Sequence, residues 1–201
     1  MYKEILFISA AAVASFGCGH DDEASGGNEE EVLTTVTLTF TPENGGTPIV
    51  AVFNDPDGDG GDDPTVDAIE LAEGTYTTQV GFENRLEDPP EIITAEVADE
   101  SDVHQVFFTG DAVNGPATDN PNAPLGHSYA DEDANGLPVG LENTVVASAG
   151  TGELTITLRH MPPVGDAQIK TADVAAEVKA GGFSAIGGTS DAQVTFAVTV
   201  Q

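Results

Sequence analysis

The sequence predicts an all-β sandwich. Beyond residue 31, most of the chain consists of short stretches in which apolar and polar residues alternate, which is the period of a half-buried strand. Clusters of glycine, asparagine and aspartate separate these stretches at near-regular spacing. The sequence lacks the long helical patterns between strands that a doubly wound α/β fold requires. These three observations favour two packed, mainly antiparallel sheets.

The first predicted strand is Val32–Phe40, in which Val36, Leu38 and Phe40 alternate with threonines. The other strand-like stretches are residues 48–53, 66–72, 75–82, 103–108, 125–130, 143–149, 153–160 and 192–200. Eight or nine short strands with this spacing are typical of an immunoglobulin-like β-sandwich. The chain has no tryptophan and one cysteine, so the tryptophan and disulfide of antibody domains are not expected.

Two stretches are candidates for short helices. Residues 90–101 place Pro90 for a first turn and put Ile93 one helical step from Val97. Residues 171–182 repeat this spacing with Val174 and Val178 and end in glycines, where a helix would stop. One or two short helices are therefore expected beside the strands.

Residues 1–17 are predicted to be a lipoprotein signal peptide. Lys3 precedes a mostly apolar run, Ile5–Phe16, which is too short to span a bilayer but suits a secretory signal. Gly17 and Cys18 match the end of a bacterial lipobox, and a lone cysteine cannot form an internal disulfide. We therefore predict lipidation of Cys18; the alternative is an ordinary secretory signal with an incidental cysteine.

The chain after the signal divides into a tether and one domain. Residues 18–31 are acidic and interrupted by glycine and serine, so they are expected to form a flexible tether. Residues 32–201 have the length of a single domain, which is predicted to be the β-sandwich.

The charge of the chain excludes some partners. Its 35 acidic and 5 basic residues give a net charge of −30. Such a surface repels phosphate, so neither nucleic acid nor anionic lipid headgroups are expected ligands. Attachment to a membrane would therefore depend on the lipid at Cys18.

Five stretches carry a resemblance to a known family: residues 55–60 (DPDGDG), 102–108 (DVHQVFF), 129–141 (YADEDANGLPVGL), 150–162 (GTGELTITLRHMP) and 191–200 (DAQVTFAVTV). Together they resemble small secreted lipoproteins common in Bacteroidota-type bacteria. Such proteins often carry the label "type 1 periplasmic binding fold superfamily", which implies a larger two-lobed α/β protein, whereas the strand pattern here predicts a sandwich. The family implies no particular activity.

The residues after the cysteine, Gly19–Glu23, are similar to the surface-export signal of these lipoproteins. The resemblance implies a lipid-anchored protein in the outer leaflet of the outer membrane, facing the cell surface. The periplasmic leaflet is the alternative.

Two acidic loops are candidate calcium sites. Calcium prefers oxygen ligands, and a loop offers them at every second residue around a glycine turn. The candidate ligands are Asp55, Asp57, Asp59 and Asp62 in the first loop, and Asp131, Asp133, Asn135 and Glu142 in the second. No flanking helices are predicted, and Asn135-Gly136 is also a good hairpin turn. A calcium site and an acidic surface turn are both open for each loop.

Three histidines, His104, His127 and His160, lie in or beside predicted strands. His160 continues the inward-facing row of Leu158, so it could converge with His104. Imidazoles with nearby carboxylates suit zinc or copper. The alternative is three separate histidines, each hydrogen-bonded within the fold, because no pair has local ligand spacing.

The sequence does not predict an enzyme or any catalytic residue. It contains no Gly-x-Ser-x-Gly elbow and no standard phosphate-binding glycine loop. The expected function is a non-catalytic binding or structural module on a surface lipoprotein, stabilised by calcium, with an outer-membrane protein as partner. The alternative is a transition-metal-handling lipoprotein that serves an outer-membrane transporter through His104 and His160.

Replacing Cys18 tests the predicted anchor. Cys18→Ala should move the protein from the membrane to the soluble fraction, because the lipid is the only anchor that the sequence predicts. Fractionation with immunoblotting measures this, and retention of the variant in membranes would contradict lipidation. Protease added to intact wild-type cells identifies the leaflet, since it degrades a surface domain and spares a periplasmic one.

Overall fold

The structure is a computed structural model that describes residues 32–58 and 60–201. It confirms the all-β sandwich with two short helices. The predicted signal peptide (1–17), the predicted tether (18–31) and Asp59 lie outside the described residues, so lipidation of Cys18 stays a prediction.

Eleven strands and two α-helices occur in the described part of the chain. The strands are β1 (Thr35–Pro42), β2 (Ile49–Asn54), β3 (Thr65–Val66), β4 (Ile69–Leu71), β5 (Gly74–Glu83), β6 (His104–Thr109), β7 (Val113–Asn114), β8 (Leu125–Tyr129), β9 (Glu142–Ala147), β10 (Gly150–His160) and β11 (Thr189–Val200). The helices are α1 (Ile93–Asp99) and α2 (Val174–Gly181), and a 3-10 turn follows at Phe183–Ala185. Within residues 32–58 and 60–201, neither helix is long and apolar enough to cross a bilayer.

The strands form two sheets. The larger sheet has the order β3-β2-β1-β5-β9-β8-β7, and the smaller has the order β4-β11-β10-β6. Neighbouring strands are antiparallel except for the β7–β8 and β4–β11 pairs, which are parallel. Each of the four outermost strands has between two and six residues, and such short edges leave little backbone for pairing with another chain.

The strand count exceeds the expected eight or nine because one predicted strand is divided. Residues 66–72 contribute Val66 to β3 in the larger sheet and Ile69 to β4 in the smaller one. Asp67, between them, accepts a hydrogen bond from the Val52 N–H at its Oδ2 (3.0 Å) and donates its own N–H to the Val52 carbonyl (3.0 Å). This pair of bonds ends β3, and the chain then crosses to the other sheet. The two-residue strand β7 is too short to show a period in the sequence.

The main core lies between the sheets, as the period-two alternation requires. Its largest fully buried side chains come from both sheets and include Phe40, Phe82, Phe108, Phe196, Leu38, Leu154 and Ile156. In β1 the threonines between the core residues point mainly outward. Burial of this apolar surface is the main stabilising contribution to the fold.

A second apolar cluster covers the outer face of the smaller sheet near β6. Val174 and Val178 of α2 pack with Phe107 and Met161. The predicted i,i+4 pair of α2 is therefore buried. The cluster packs α2 onto the smaller sheet. The segment before α2 is thereby held against the end of the sandwich where the candidate site lies.

Helix α1 provides a hydrogen-bond partner for β5 where strand β9 no longer pairs with it. Its predicted pair, Ile93 and Val97, is buried in the main core. Strand β9 pairs with β5 only as far as Gln79. Beyond that point Thr94 Oγ1 accepts the Phe82 N–H (2.7 Å) and lies 3.0 Å from the Phe82 carbonyl oxygen, to which it donates. The hydroxyl thus satisfies both backbone groups where the ladder stops.

Removing this hydroxyl should lower stability. Thr94→Val keeps the shape of the side chain but leaves the Phe82 backbone without its partner, so the free energy of unfolding should fall by about 1–3 kcal/mol. Thr94→Ser is the matched control because it keeps the hydroxyl. Urea unfolding followed by circular dichroism measures both variants; equal stability would show that the hydrogen bonds contribute nothing.

Candidate functional site

The structure brings His104 and His160 together. They lie directly opposite each other on the neighbouring strands β6 and β10. Their rings stack with centroids 4.5 Å apart and planes 13° from parallel. His104 is 2% exposed, whereas His160 is only half-buried. The register of β6 and β10 thus brings together the two histidines that the sequence named as a possible pair.

Two carboxylates approach the buried ring of His104 from opposite sides. Glu100 Oε2 is 3.9 Å from its Nδ1, and Asp191 Oδ2 is 3.9 Å from its Nε2. Glu100, His104 and His160 each offer one donor atom within 4.8 Å of the others. Among residues 32–58 and 60–201, this is the one such group of three histidine, cysteine or acidic residues. Its donor atoms are close enough together to be candidate cation ligands.

The hydrogen bonding of His104 determines its tautomer. Its Nδ1 lies 3.1 Å from the carbonyl oxygen of Glu100. A carbonyl oxygen only accepts, so Nδ1 carries the proton and Nε2 keeps its lone pair. Burial lowers the pKa of His104, and the hydrogen bond to the Glu100 carbonyl opposes this shift only in part. The ring is therefore neutral at neutral pH, as a metal ligand must be.

His127 belongs to a separate environment. It stacks on Phe108 (centroids 4.2 Å apart), and its Nε2 lies 2.9 Å from Asn143 Oδ1. Burial lowers the pKa of His127 to about 4, although the Asn143 hydrogen bond opposes the shift. For this residue, the alternative of an isolated, hydrogen-bonded histidine describes the structure.

The second acidic loop is a hairpin turn whose carboxylates are used by the protein itself. Asp131 accepts the N–H groups of Gly140 (2.7 Å), Leu141 (2.8 Å) and Glu142 (3.0 Å). Asp133 Oδ1 accepts those of Asn135 (2.8 Å) and Leu137 (2.9 Å).

The remaining oxygen of Asp133 binds a buried lysine. Lys170 Nζ lies 2.8 Å from Asp133 Oδ2 and 2.6 Å from the Ser101 carbonyl oxygen, and both charged side chains are 0% exposed. The ammonium occupies the position beside Asp133 where a calcium ion would bind. This geometry gives no support to calcium at Asp131, Asp133, Asn135 and Glu142.

The pKa values of both groups are lowered, which has opposite effects on their charges. A lower pKa disfavours the charged form of Lys170 and favours the charged form of Asp133. Burial lowers the pKa of Lys170 against the attraction of Asp133. Burial acts to raise the pKa of Asp133, but hydrogen bonds from Lys170, Leu137 and Asn135 outweigh it and lower the pKa. We take the pair as ionised at neutral pH because three donors converge on one carboxylate.

The first acidic loop is organised differently. Asp57 Oδ2 accepts the N–H groups of Gly61 (2.8 Å) and Asp62 (3.1 Å). Asp55 Oδ1 accepts the Asp57 N–H at 3.3 Å. Asp57 Oδ1 is buried and has no hydrogen-bond partner among the described residues. The loop backbone at Gly60 closes over the Asp57 carboxylate, so a side chain there would clash with it. Asp59, the fourth candidate, lies outside the described residues.

A shallow groove lies on the outer face of the larger sheet. Its volume is about 510 Å³, and its lining includes Thr37, Thr39, Gln79, Glu83, Thr94 and Glu142. The lining combines hydroxyl, amide and carboxylate groups, which can accept hydrogen bonds from a polar or cationic ligand.

Sequence reasoning missed two residues that shape these sites. Glu100 precedes His104 by four residues and lies near the end of the predicted helical stretch 90–101, so this spacing was a usable signal. Lys170 carries a weaker signal, since it is one of three lysines in a very acidic chain and follows an isoleucine. Neither signal identifies the partner across the fold.

No family model, curated protein or solved structure matches this chain. The sites are therefore interpreted from their own geometry.

The lowered pKa of His127 predicts acid sensitivity. The unfolded chain protonates this residue near its ordinary pKa of 6.5, whereas the folded chain does so near 4. The stabilising contribution is thus complete above pH 6.5 and is lost as pH falls towards 4; at pH 5 the loss is about 2 kcal/mol.

His127→Gln should flatten the fall in the free energy of unfolding between pH 7 and pH 5, measured by urea unfolding. The control is His20→Gln, which alters a histidine in the predicted tether and should leave the slope unchanged. If His127→Gln keeps the wild-type slope, the buried ring does not titrate as stated.

Proposed function

We propose that this protein is a lipid-anchored, non-catalytic binding or structural module at the outer membrane. The lipobox ending in Cys18, the acidic tether and the resemblance to small Bacteroidota-type lipoproteins support this assignment. The acidic residues after Cys18 favour the cell surface over the periplasmic leaflet. The expected partner is an outer-membrane protein.

The observation that carries the module assignment is the use of buried polar groups to hold loops onto the sandwich. Arg159 donates to the carbonyl oxygens of Gly187 (3.0 Å) and Gly188 (2.7 Å), and Lys170 donates to that of Ser101. Asn143 likewise donates to the Gly140 carbonyl (2.8 Å). These groups stabilise the scaffold, which leaves the exterior, including the groove near Glu142, for recognition.

Calcium at the first loop is part of the proposal. One oxygen of Asp57 is held by two N–H groups, and its other oxygen has no hydrogen-bond partner among the described residues. The two N–H groups fix the orientation of the carboxylate, and a bound calcium ion would supply the partner that its buried second oxygen lacks. Asp55 and Asp62 lie beside it. The second loop lacks this feature because Lys170 already neutralises Asp133.

A second candidate function is transition-metal handling for an outer-membrane transporter. The specific observation in its favour is the group formed by Glu100, His104 and His160, with donor atoms within 4.8 Å of one another. A module that carries such a group at the cell surface could pass a metal ion to a receptor.

Thermal unfolding tests the calcium proposal. In about 0.5 M sodium chloride, which screens general charge repulsion, about 10 mM calcium should raise the free energy of unfolding by about 1.4–2.7 kcal/mol for a Kd of about 10⁻³–10⁻⁴ M. That gain corresponds to a Tm increase of roughly 3–10 °C for a domain of this size. Asp57→Asn should abolish the rise while keeping an oxygen for the Gly61 and Asp62 N–H groups.

Two controls accompany this test. Magnesium fits a flexible oxygen site poorly and should raise the Tm much less. Glu142→Gln tests the second loop without disturbing the Lys170–Asp133 pair, whose rupture would cost about 3–5 kcal/mol regardless of calcium. Equal shifts with calcium and magnesium in all variants would show that the first loop is only a solvated turn.

A further inference from the structure

We infer that Glu100, His104 and His160 form a three-ligand site for a borderline divalent transition metal such as zinc, with His160 as the ligand that moves. The inference rests on the second candidate function and deepens it. It adds Glu100 as a ligand, derives the class of metal from the donor set, and states which side chain moves when the metal binds.

The distances bring the three donors close to coordination. Zinc binds imidazole nitrogen and carboxylate oxygen at about 2.0–2.2 Å, so tetrahedral ligands lie roughly 3.4 Å apart. The donor atoms of Glu100, His104 and His160 lie within 4.8 Å of one another. Coordination at Nε2 of His104 therefore requires two side-chain movements. The Glu100 carboxylate, whose Oε2 lies 3.9 Å from Nδ1, must swing to the Nε2 edge, and the His160 ring must turn.

The ring stack determines which side chain must move. A metal ion lies in the plane of each imidazole that binds it. Because the rings of His104 and His160 are 13° from parallel, their in-plane lone pairs cannot meet at one point until a ring turns. His104 is 2% exposed and held by the Glu100 carbonyl, whereas His160 is half-buried. His160 is therefore the ring that rotates when a metal ion binds.

The environment of His104 already resembles that of a ligand. Its Nδ1 proton is donated to a backbone carbonyl, which orients the ring and leaves Nε2 as the donor, as in many metal-bound histidines. The Glu100 side chain is 61% exposed, so it can swing towards either edge of the ring. Asp191 Oδ2, 3.9 Å from Nε2, adds negative charge beside the site.

The donor set selects the class of metal. Two imidazoles and a carboxylate are a borderline set that suits zinc and copper(II) better than calcium or magnesium. Three protein ligands leave the fourth tetrahedral position to water or to a group from a receptor. A net charge of −30 also raises the local concentration of cations around the domain.

Imidazole NMR tests the site directly. The full chain with Cys18→Ala and His20→Ala lacks the anchor and the histidine of the predicted tether. One to two equivalents of zinc should shift the ring resonances of His104 and His160 and leave those of His127 in place. His127 thereby reports that the fold is intact.

Two variants separate coordination from general attraction. His160→Phe keeps a ring on the stack but removes the nitrogen, so zinc should no longer shift His104. Glu100→Gln should weaken zinc binding about tenfold or more, as measured by calorimetry. Glu96→Gln makes the same charge change four residues earlier, within α1 and outside the group, and should leave the affinity unchanged.

Two outcomes would overturn the inference. One is that His104 and His160 do not shift with zinc; the other is that Glu100→Gln and Glu96→Gln bind zinc equally. Membrane fractionation of the wild type distinguishes the failures. If the protein is membrane-anchored but does not bind zinc, the metal site and the second candidate function are wrong and the module assignment stands. If it is soluble but binds zinc, only the predicted anchor is wrong.

Discussion

The buried ion pair between Lys170 and Asp133 connects three parts of the chain that are distant in sequence. Asp133 belongs to the hairpin before β9, Lys170 precedes α2, and the Ser101 carbonyl that also binds the ammonium follows α1. Because both charged side chains are 0% exposed, neither can exchange its partner for water without opening the structure. The positions of all three segments therefore depend on one another.

This constraint extends to the candidate metal site. Ser101 follows Glu100 directly, and the Glu100 carbonyl orients the ring of His104. The lysine thus fixes the segment that sets the tautomer of the histidine. Helix α2 begins at Val174, four residues after Lys170, and its buried residues pack in the second apolar cluster. This packing holds the lysine from its C-terminal side. The packing of α2, the Lys170–Asp133 ion pair and the orientation of the His104 ring therefore depend on one another.

The scarcity of basic residues makes the Lys170–Asp133 pair more important for the charge balance of the domain. The described part of the chain contains four basic residues, Arg85, Arg159, Lys170 and Lys179. Arg159 and Lys170 are buried, so only two basic side chains remain at the surface to offset a large excess of carboxylates. Such a surface repels itself and attracts cations. A folded domain of this kind gains stability from screening ions.

Some features could be derived from the sequence by itself because their causes are local. The alternation of Val36, Leu38 and Phe40 predicts a strand with one buried face, since successive side chains of a strand point to opposite sides. The i,i+4 pairs Ile93/Val97 and Val174/Val178 likewise predicted both helices. The parity of Leu158 and His160 was enough to suggest that His160 faces inward.

Other features were decided by the tertiary structure because they depend on a distant partner. Two loops with similar aspartate spacing differ because Lys170, 37 residues from Asp133, neutralises one of them. Residues 66–72 divide between two sheets because Asp67 bonds to Val52 across a neighbouring strand. Local periodicity records which face of an element is buried, but it carries no information on which side chain from elsewhere meets that face. The acidic motifs show the same limit, since a carboxylate can accept a backbone N–H, a lysine or a metal ion with the same oxygens, and only the folded chain determines which of these is within reach.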